Sequence, residues 1–197
     1  MNRVRVSRFV SLVAGFVLML ASGTIYLLPT YATDLRQALG LTQFEVGAIG
    51  AAMTAGTWVS LPGGLTLDRF GFRWTVLAGS CFLLIGYFAL SLIVDGVLPN
   101  SVVLTAVFAY VVGMGSSFTY LSALKCTNSN FPVAVRGRAV GAMITAFGLS
   151  AGVFTLVSSV FFEGERTREV LSGYLLFLGF FLSAVAFVSL WAQRRPA

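Results

Sequence analysis

The chain has 197 residues, of which 57 % are hydrophobic and 10 % charged, with a mean hydropathy of +0.90 and a net charge of +6. A soluble domain carries about 25 % charged residues, so the composition excludes a water-solvated globular domain and describes an integral membrane protein. The basic residues lie in the short gaps between apolar runs, as membrane topology requires, and form no single patch that would take nucleic acid as a partner.

The first apolar run extends from Phe9 to about Tyr31, behind Arg3, Arg5 and Arg8. A basic start and an apolar stretch also describe a signal peptide, and Leu20-Ala21-Ser22-Gly23 resembles a cleavage site. The run continues past the ~7–15 residues of a signal core, so it reads as a membrane helix, about 9–31. Residues 34–42 form a short polar loop, in which Thr42 and Glu45 make a capping box for the second helix. That helix covers about 43–67, and the third, about 72–94, ends before Asp95-Gly96 and Pro99-Asn100. The fourth, about 102–124, leads into a polar loop from Lys125 to Pro132. The fifth covers about 138–162 and the sixth about 170–191. Each is long enough to cross a bilayer, which takes ~20 residues. The expected fold class is an all-α membrane protein, with residues 1–197 forming a single six-transmembrane-helix bundle.

Charge orients the bundle. With both termini in the cytoplasm, the inner side holds Arg3, Arg5, Arg8, Arg69, Arg73, Lys125, Arg136, Arg138, Arg194 and Arg195, and the outer side only Arg36, Arg166 and Arg168. That asymmetry satisfies the positive-inside rule. Six of the seven acids fall outside, with Asp68 as the exception. Cys81 falls mid-span and Cys126 beside an inner loop, so no disulfide is expected. No histidine is present and no residue cluster has metal-ligand spacing, so neither a metal nor a cofactor is implied.

The helix faces differ. The fifth carries Gly137, Gly141, Thr145, Gly148, Gly152, Thr155 and Ser159 at intervals of three or four, which puts them on one face. Small residues so spaced allow close helix approach; the partner is either this bundle or a second one. The second helix has a shorter version in Gly47, Ala51, Thr54 and Ala55. In the first, Ser22, Tyr26 and Thr30 align, with Pro29 able to kink the helix. In the fourth, Tyr110, Gly113, Ser117 and Tyr120 align, widened by Ser116 and Thr119. Phenols in hydrocarbon need partners or water, so these two faces read as the lining of a cavity. The third and sixth helices, apolar nearly all round, suit a lipid-facing position. No ionisable residue lies at the middle of any span, where proton or ion coupling is usually found. No nucleophile–base pair or paired carboxylates can be assembled either, so an enzyme is not expected.

Between the second and third spans stands Gly64-x-x-x-Asp68-Arg69-x-Gly71-x-Arg73. It resembles the loop motif of the major facilitator superfamily. Gly71 allows a turn too tight for a side chain, Asp68 caps or pairs at a helix end, and the arginines anchor at the inner interface. Two further stretches look like the nodulin-like branch. One surrounds Ser22-Gly23-Thr24-Ile25-Tyr26. The other is Asn130-Phe131-Pro132-x-x-x-Arg136-Gly137, running into Gly148-Leu149-Ser150-Ala151-Gly152. The resemblance covers nearly the whole chain and matches the N-terminal six-helix half of such a carrier.

It implies alternating-access transport of a small organic solute. Helices one and four would line the path, two and five would meet a second six-helix half from the same or another chain, and three and six would face lipid. Asp68 and Arg69 would act as a latch across the two halves. The fourth span lacks the arginine of many proton-coupled members, and the fifth lacks the Gly-Pro of drug antiporters. The resemblance therefore carries neither proton coupling nor drug exchange. Two other readings stay open: a non-transporting adaptor or chaperone of the same fold, and an incomplete gene product.

Overall fold

The structure is a computed structural model that describes residues 2–58, 60–162 and 168–192, with side chains from Val10 to Leu190 within those ranges. Arg3, Arg5, Arg8, Glu163, Glu165, Arg166, Arg194 and Arg195, on which much of the expected orientation rests, lie outside the described side chains. Among the described residues every element is helical: α1 (Asn2–Ser22), a 3-10 turn (Gly23–Leu27), α2 (Leu28–Leu39), α3 (Gln43–Trp58), α4 (Leu61–Arg69), α5 (Phe72–Val94), α6 (Val102–Asn130), α7 (Val133–Phe161) and α8 (Arg168–Ala192). Five stretches among the described residues are long and apolar enough to cross a membrane: Val10–Leu39, Phe72–Val94, Val102–Asn130, Val133–Phe161 and Arg168–Leu190.

Two prolines explain where the helices depart from expectation. Pro29 sits in the first turn of α2. It has no N–H for the carbonyl of Ile25, so the preceding turn tightens to 3-10 geometry rather than breaking. The first helix therefore continues through the expected polar loop at 34–42 and ends at Gly40, whose φ of +67° closes it in the left-handed region. The second expected helix, 43–67, is not continuous. Pro62 cannot bond to Trp58, whose carbonyl accepts instead from the Ser60 N–H at 2.8 Å. The result is two helices, α3 and α4, meeting near Ser60. The expected loop at Lys125–Pro132 is also mostly helix, since α6 runs to Asn130 before Pro132 opens α7.

Thr42 and Glu45 do form the capping box. The Thr42 backbone N–H and hydroxyl donate to Glu45 Oε2 at 2.7 and 2.8 Å, and the Glu45 N–H donates back to Thr42 Oγ1 at 3.3 Å.

The interior has two apolar clusters. One gathers Leu27, Tyr31, Ile49, Leu83, Tyr87, Leu175 and Leu178; the other gathers Leu18, Met19, Val76, Met143 and Ala186. Where they meet along α1, buried hydroxyls tie the helices together. Ser22 donates to Thr119 at 2.7 Å, Ser116 donates to the Ser22 carbonyl, and Ser150 donates to the Leu20 carbonyl at 2.6 Å. Hydrogen bonds and close packing carry helix association in lipid, where burial from water supplies no force. The closest approaches are Gly56 with Gly113 (α3 on α6) and Gly23 of the 3-10 turn against the Phe147 carbonyl of α7, where an added Cβ would collide with backbone.

α5 and α8, the third and sixth expected helices, are each partly covered within this chain and expose apolar side chains such as Ile85 and Phe187 on the rest of their surface. The most apolar stretch of α5 is 56 % buried and that of α8 44 %, against only 22 % for the glycine-striped α7. Lipid and protein interior are equally apolar, so apolarity alone does not say which of them a helix meets.

Candidate functional site

Three regions of the bundle gather the residues that the sequence singles out. The first is a cleft of about 220 Å³ in one side of the bundle, lined by Ile25, Tyr26, Thr57, Ser60, Ser116, Ser117, Tyr120, Leu121 and Phe147. Its position follows from the breaks in the helices. The 3-10 turn presents Tyr26, the α3–α4 junction presents Thr57 and Ser60, and α6 presents Ser117 and Tyr120. Phe147 of α7 holds both tyrosines: its ring lies 5.5 Å from that of Tyr26, edge to face, and 5.0 Å from that of Tyr120. Tyr26 is 55 % exposed and so presents its ring and hydroxyl to the cleft. Ser117 is only 5 % exposed yet lines the cleft. No charged side chain lines it.

Of the six residues expected to line a cavity, Tyr26, Ser117 and Tyr120 come together here. Ser22, Thr30 and Tyr110 do not. Ser22 is fully buried in the α1–α6 contact. Thr30 pairs with Thr155 of α7 at 2.9 Å, and the Tyr110 carbonyl lies against Gly56 at the α3–α6 crossing. Thr57, Ser60 and Phe147 are additions. Ser60 beside Leu61-Pro62 was a readable signal, because a proline frees a carbonyl one turn back; Phe147 carried no signal that sets it apart from other apolar residues.

The second region lies at the end of the bundle where α4, α5 and α6 meet. A cavity of about 740 Å³ is lined by Asp68, Arg69, Gly71, Arg73, Trp74, Lys125, Cys126 and Asn130, among others. Gly71 takes a φ of +80°, which the turn from α4 into α5 requires. Asp68 binds Lys125 at 2.7 Å, and Lys125 also reaches the Leu67 carbonyl at 3.4 Å. Asp68 thus has a partner within this chain. Asn130 donates to Ser11 Oγ at 2.7 Å and fastens α6 to α1 beside the same cavity. Arg136 Nε donates to the Phe131 carbonyl at 3.3 Å, bracing the bend at Pro132. Gly64 and Gly137 meet open space.

The third region is the small-residue face of α7. Gly141, Gly148 and Gly152 have no atom within 4 Å of an added Cβ, and the same holds for Gly47 on α3. Among the described residues nothing packs against these four glycines, although Thr155 farther along α7 bonds to Thr30.

Known proteins bear on this geometry in three ways. The family model described as Nodulin-like matches residues 8–196. A yeast relative, the uncharacterized membrane protein YMR155W of Saccharomyces cerevisiae, is 29 % identical over 178 residues, 87 % of this chain and 32 % of that protein. Among solved structures, the MFS (major facilitator superfamily) proton:xylose symporter XylE bound to 6-bromo-6-deoxy-D-glucose matches with a TM-score of 0.79 at 14 % identity, over 96 % of this chain and 44 % of that one. The inward open conformation of the xylose transporter XylE from E. coli matches with a TM-score of 0.63 at 15 % identity, over 95 % and 47 %. The chain therefore spans about a third of its yeast relative and under half of each solved transporter.

Proposed function

The chain belongs to the Nodulin-like family, and from that premise we propose that it works as one six-helix half of a secondary carrier for a small organic solute. The observation that carries this reading is the cleft at Tyr26, Ser117 and Tyr120. Polar side chains from the 3-10 turn, from α3 with its junction to α4, and from α6 converge on one side of an otherwise apolar bundle. A volume of about 220 Å³ is below the ~300–1,000 Å³ of a complete small-molecule site, which is what one wall of a two-walled site would provide. In carriers of this architecture the solute sits between two halves related by an axis along the membrane normal.

The open faces of α3 and α7 then belong against the second half, of the same or another chain. α3 and α4 together form the second of six spans, and both termini lie in the cytoplasm, with the cavity around Asp68 at the inner end. The Asp68–Lys125 pair closes that end in one of the two states. Alternating access follows when the second half rocks over the cleft.

The open face of α7 equally favours an adaptor that binds other membrane proteins through its glycines. The two readings separate cleanly: alanine at Tyr26 and Tyr120 disables a carrier and spares an adaptor. Purified protein in liposomes should take up at least one member of a broad panel of organic solutes above the empty-liposome rate. Background uptake across that panel by folded protein would refute the half-carrier.

A further inference from the structure

On the proposed carrier reading, the cleft at Tyr26, Ser117 and Tyr120 holds the solute, and its hydroxyls decide which solute fits. The hydroxyls of Tyr26, Ser60, Ser117 and Tyr120 all line it, and none makes a hydrogen bond to another described residue. Ser117 is the most telling. At 5 % exposure it is buried by its neighbours, yet unlike the other buried serines of α6 it does not satisfy itself. Ser116 donates to the Ser22 carbonyl and Ser122 to the Phe118 carbonyl at 2.8 Å. Ser117 is buried as a residue but its oxygen is not sealed off, and it lines the cleft, so a solute there can bond to it.

The chemistry of this wall is narrow. Each hydroxyl can donate and accept at once, and the rings of Tyr26, Tyr120 and Phe147 supply an apolar floor. Neither an ammonium, a guanidinium nor a carboxylate lines the cleft. Lys125, a little over one helical turn beyond Tyr120, is held by Asp68. An ionised solute stripped of water against this wall would find no countercharge. A group that itself donates and accepts, carried on a compact carbon skeleton with C–H faces, would satisfy all four hydroxyls and lie against the rings. We infer that this half recognises an uncharged, multiply hydroxylated solute, a polyol or sugar, and that Ser117 and Tyr120 are the residues that select it.

The test compares solutes matched in skeleton and different in charge. Purified protein in nanodiscs is offered a panel of neutral polyols and sugars, including glucose and glycerol, beside the matching acids glucuronate and glycerate. At least one neutral member binds, and its acid binds more than tenfold more weakly. Ser117→Ala and Tyr120→Phe each remove one oxygen and keep the fold, as an unchanged melting temperature verifies. Each weakens the neutral solute by about three- to tenfold, the worth of one net hydrogen bond. Equal or tighter binding of the acids, or unchanged affinity in both variants, overturns the inference. Transport of an organic acid with no neutral polyol bound would sink it while leaving the carrier intact; no transport of any solute would remove the carrier reading and this one with it.

Discussion

The Lys125 ammonium lies 2.7 Å from the Asp68 carboxylate and joins the last part of α6 to the last turn of α4. The two side chains are 48 % and 76 % exposed, so water screens the pair and it contributes no more than ~1 kcal/mol to stability. A contact this cheap to make and break suits a latch better than a structural tie.

Asp68→Asn should therefore leave the melting temperature nearly unchanged while altering transport rate or conformational bias, with solute affinity held. Exchanging the charges, Asp68→Lys with Lys125→Asp, should restore much of the original rate. A large loss of affinity in Asp68→Asn would return the solute site to this end of the bundle.

The glycines divide into two groups that should behave oppositely. Gly113 and Gly56 lie backbone against backbone, so leucine at either should unfold the bundle or lower its melting temperature sharply. Leucine at Gly148 and Gly152, which meet open space, should leave the melting temperature of the six-helix unit unchanged and abolish pairing, read by cross-linking or size in detergent.

Tyr31 is 2 % exposed, and its hydroxyl is buried without a hydrogen-bond partner. Tyr31→Phe removes that uncompensated group and keeps the ring. It should be neutral or stabilise by up to ~1–3 kcal/mol, measured by thermal unfolding in detergent; a loss of stability would mean that the hydroxyl has a partner.

The capping box at α3 gives a smaller effect of known sign. Thr42→Ala removes the bonds that close the first turn, 2.8 and 3.3 Å long, and should cost ~0.5–2 kcal/mol, seen in the same unfolding measurement.

Much of this was legible in the chain itself, but unevenly. The capping box at Thr42 and Glu45 and the turn at Gly71 are local, set by a few residues and their backbone needs, and they lie where expected. The break at Pro62 was written in the chain as plainly as Pro29, yet hydropathy runs straight through it and hides it. The cavity face was half readable. Period 3.6 puts Ser22, Tyr26 and Thr30 on one stripe, but it does not say which of them points into a neighbour. Ser22 went to Thr119 and Thr30 to Thr155, leaving Tyr26 exposed. Gly148 and Gly56 look alike in the chain, and only the helix crossings tell the open glycine from the buried one. Phe147 entered the site through tertiary contact alone.

The central claim is that the cleft at Ser117 opens in turn to each side of a membrane. The most direct measurement places a thiol there, as Ser117→Cys with Cys81→Ser and Cys126→Ser, and follows its reaction with a membrane-impermeant maleimide in intact cells and in inverted vesicles. Labelling from both sides, in a ratio that shifts with added solute or with Asp68→Asn, is the predicted result. Labelling from one side only, unmoved by any solute or by the latch variant, would contradict it.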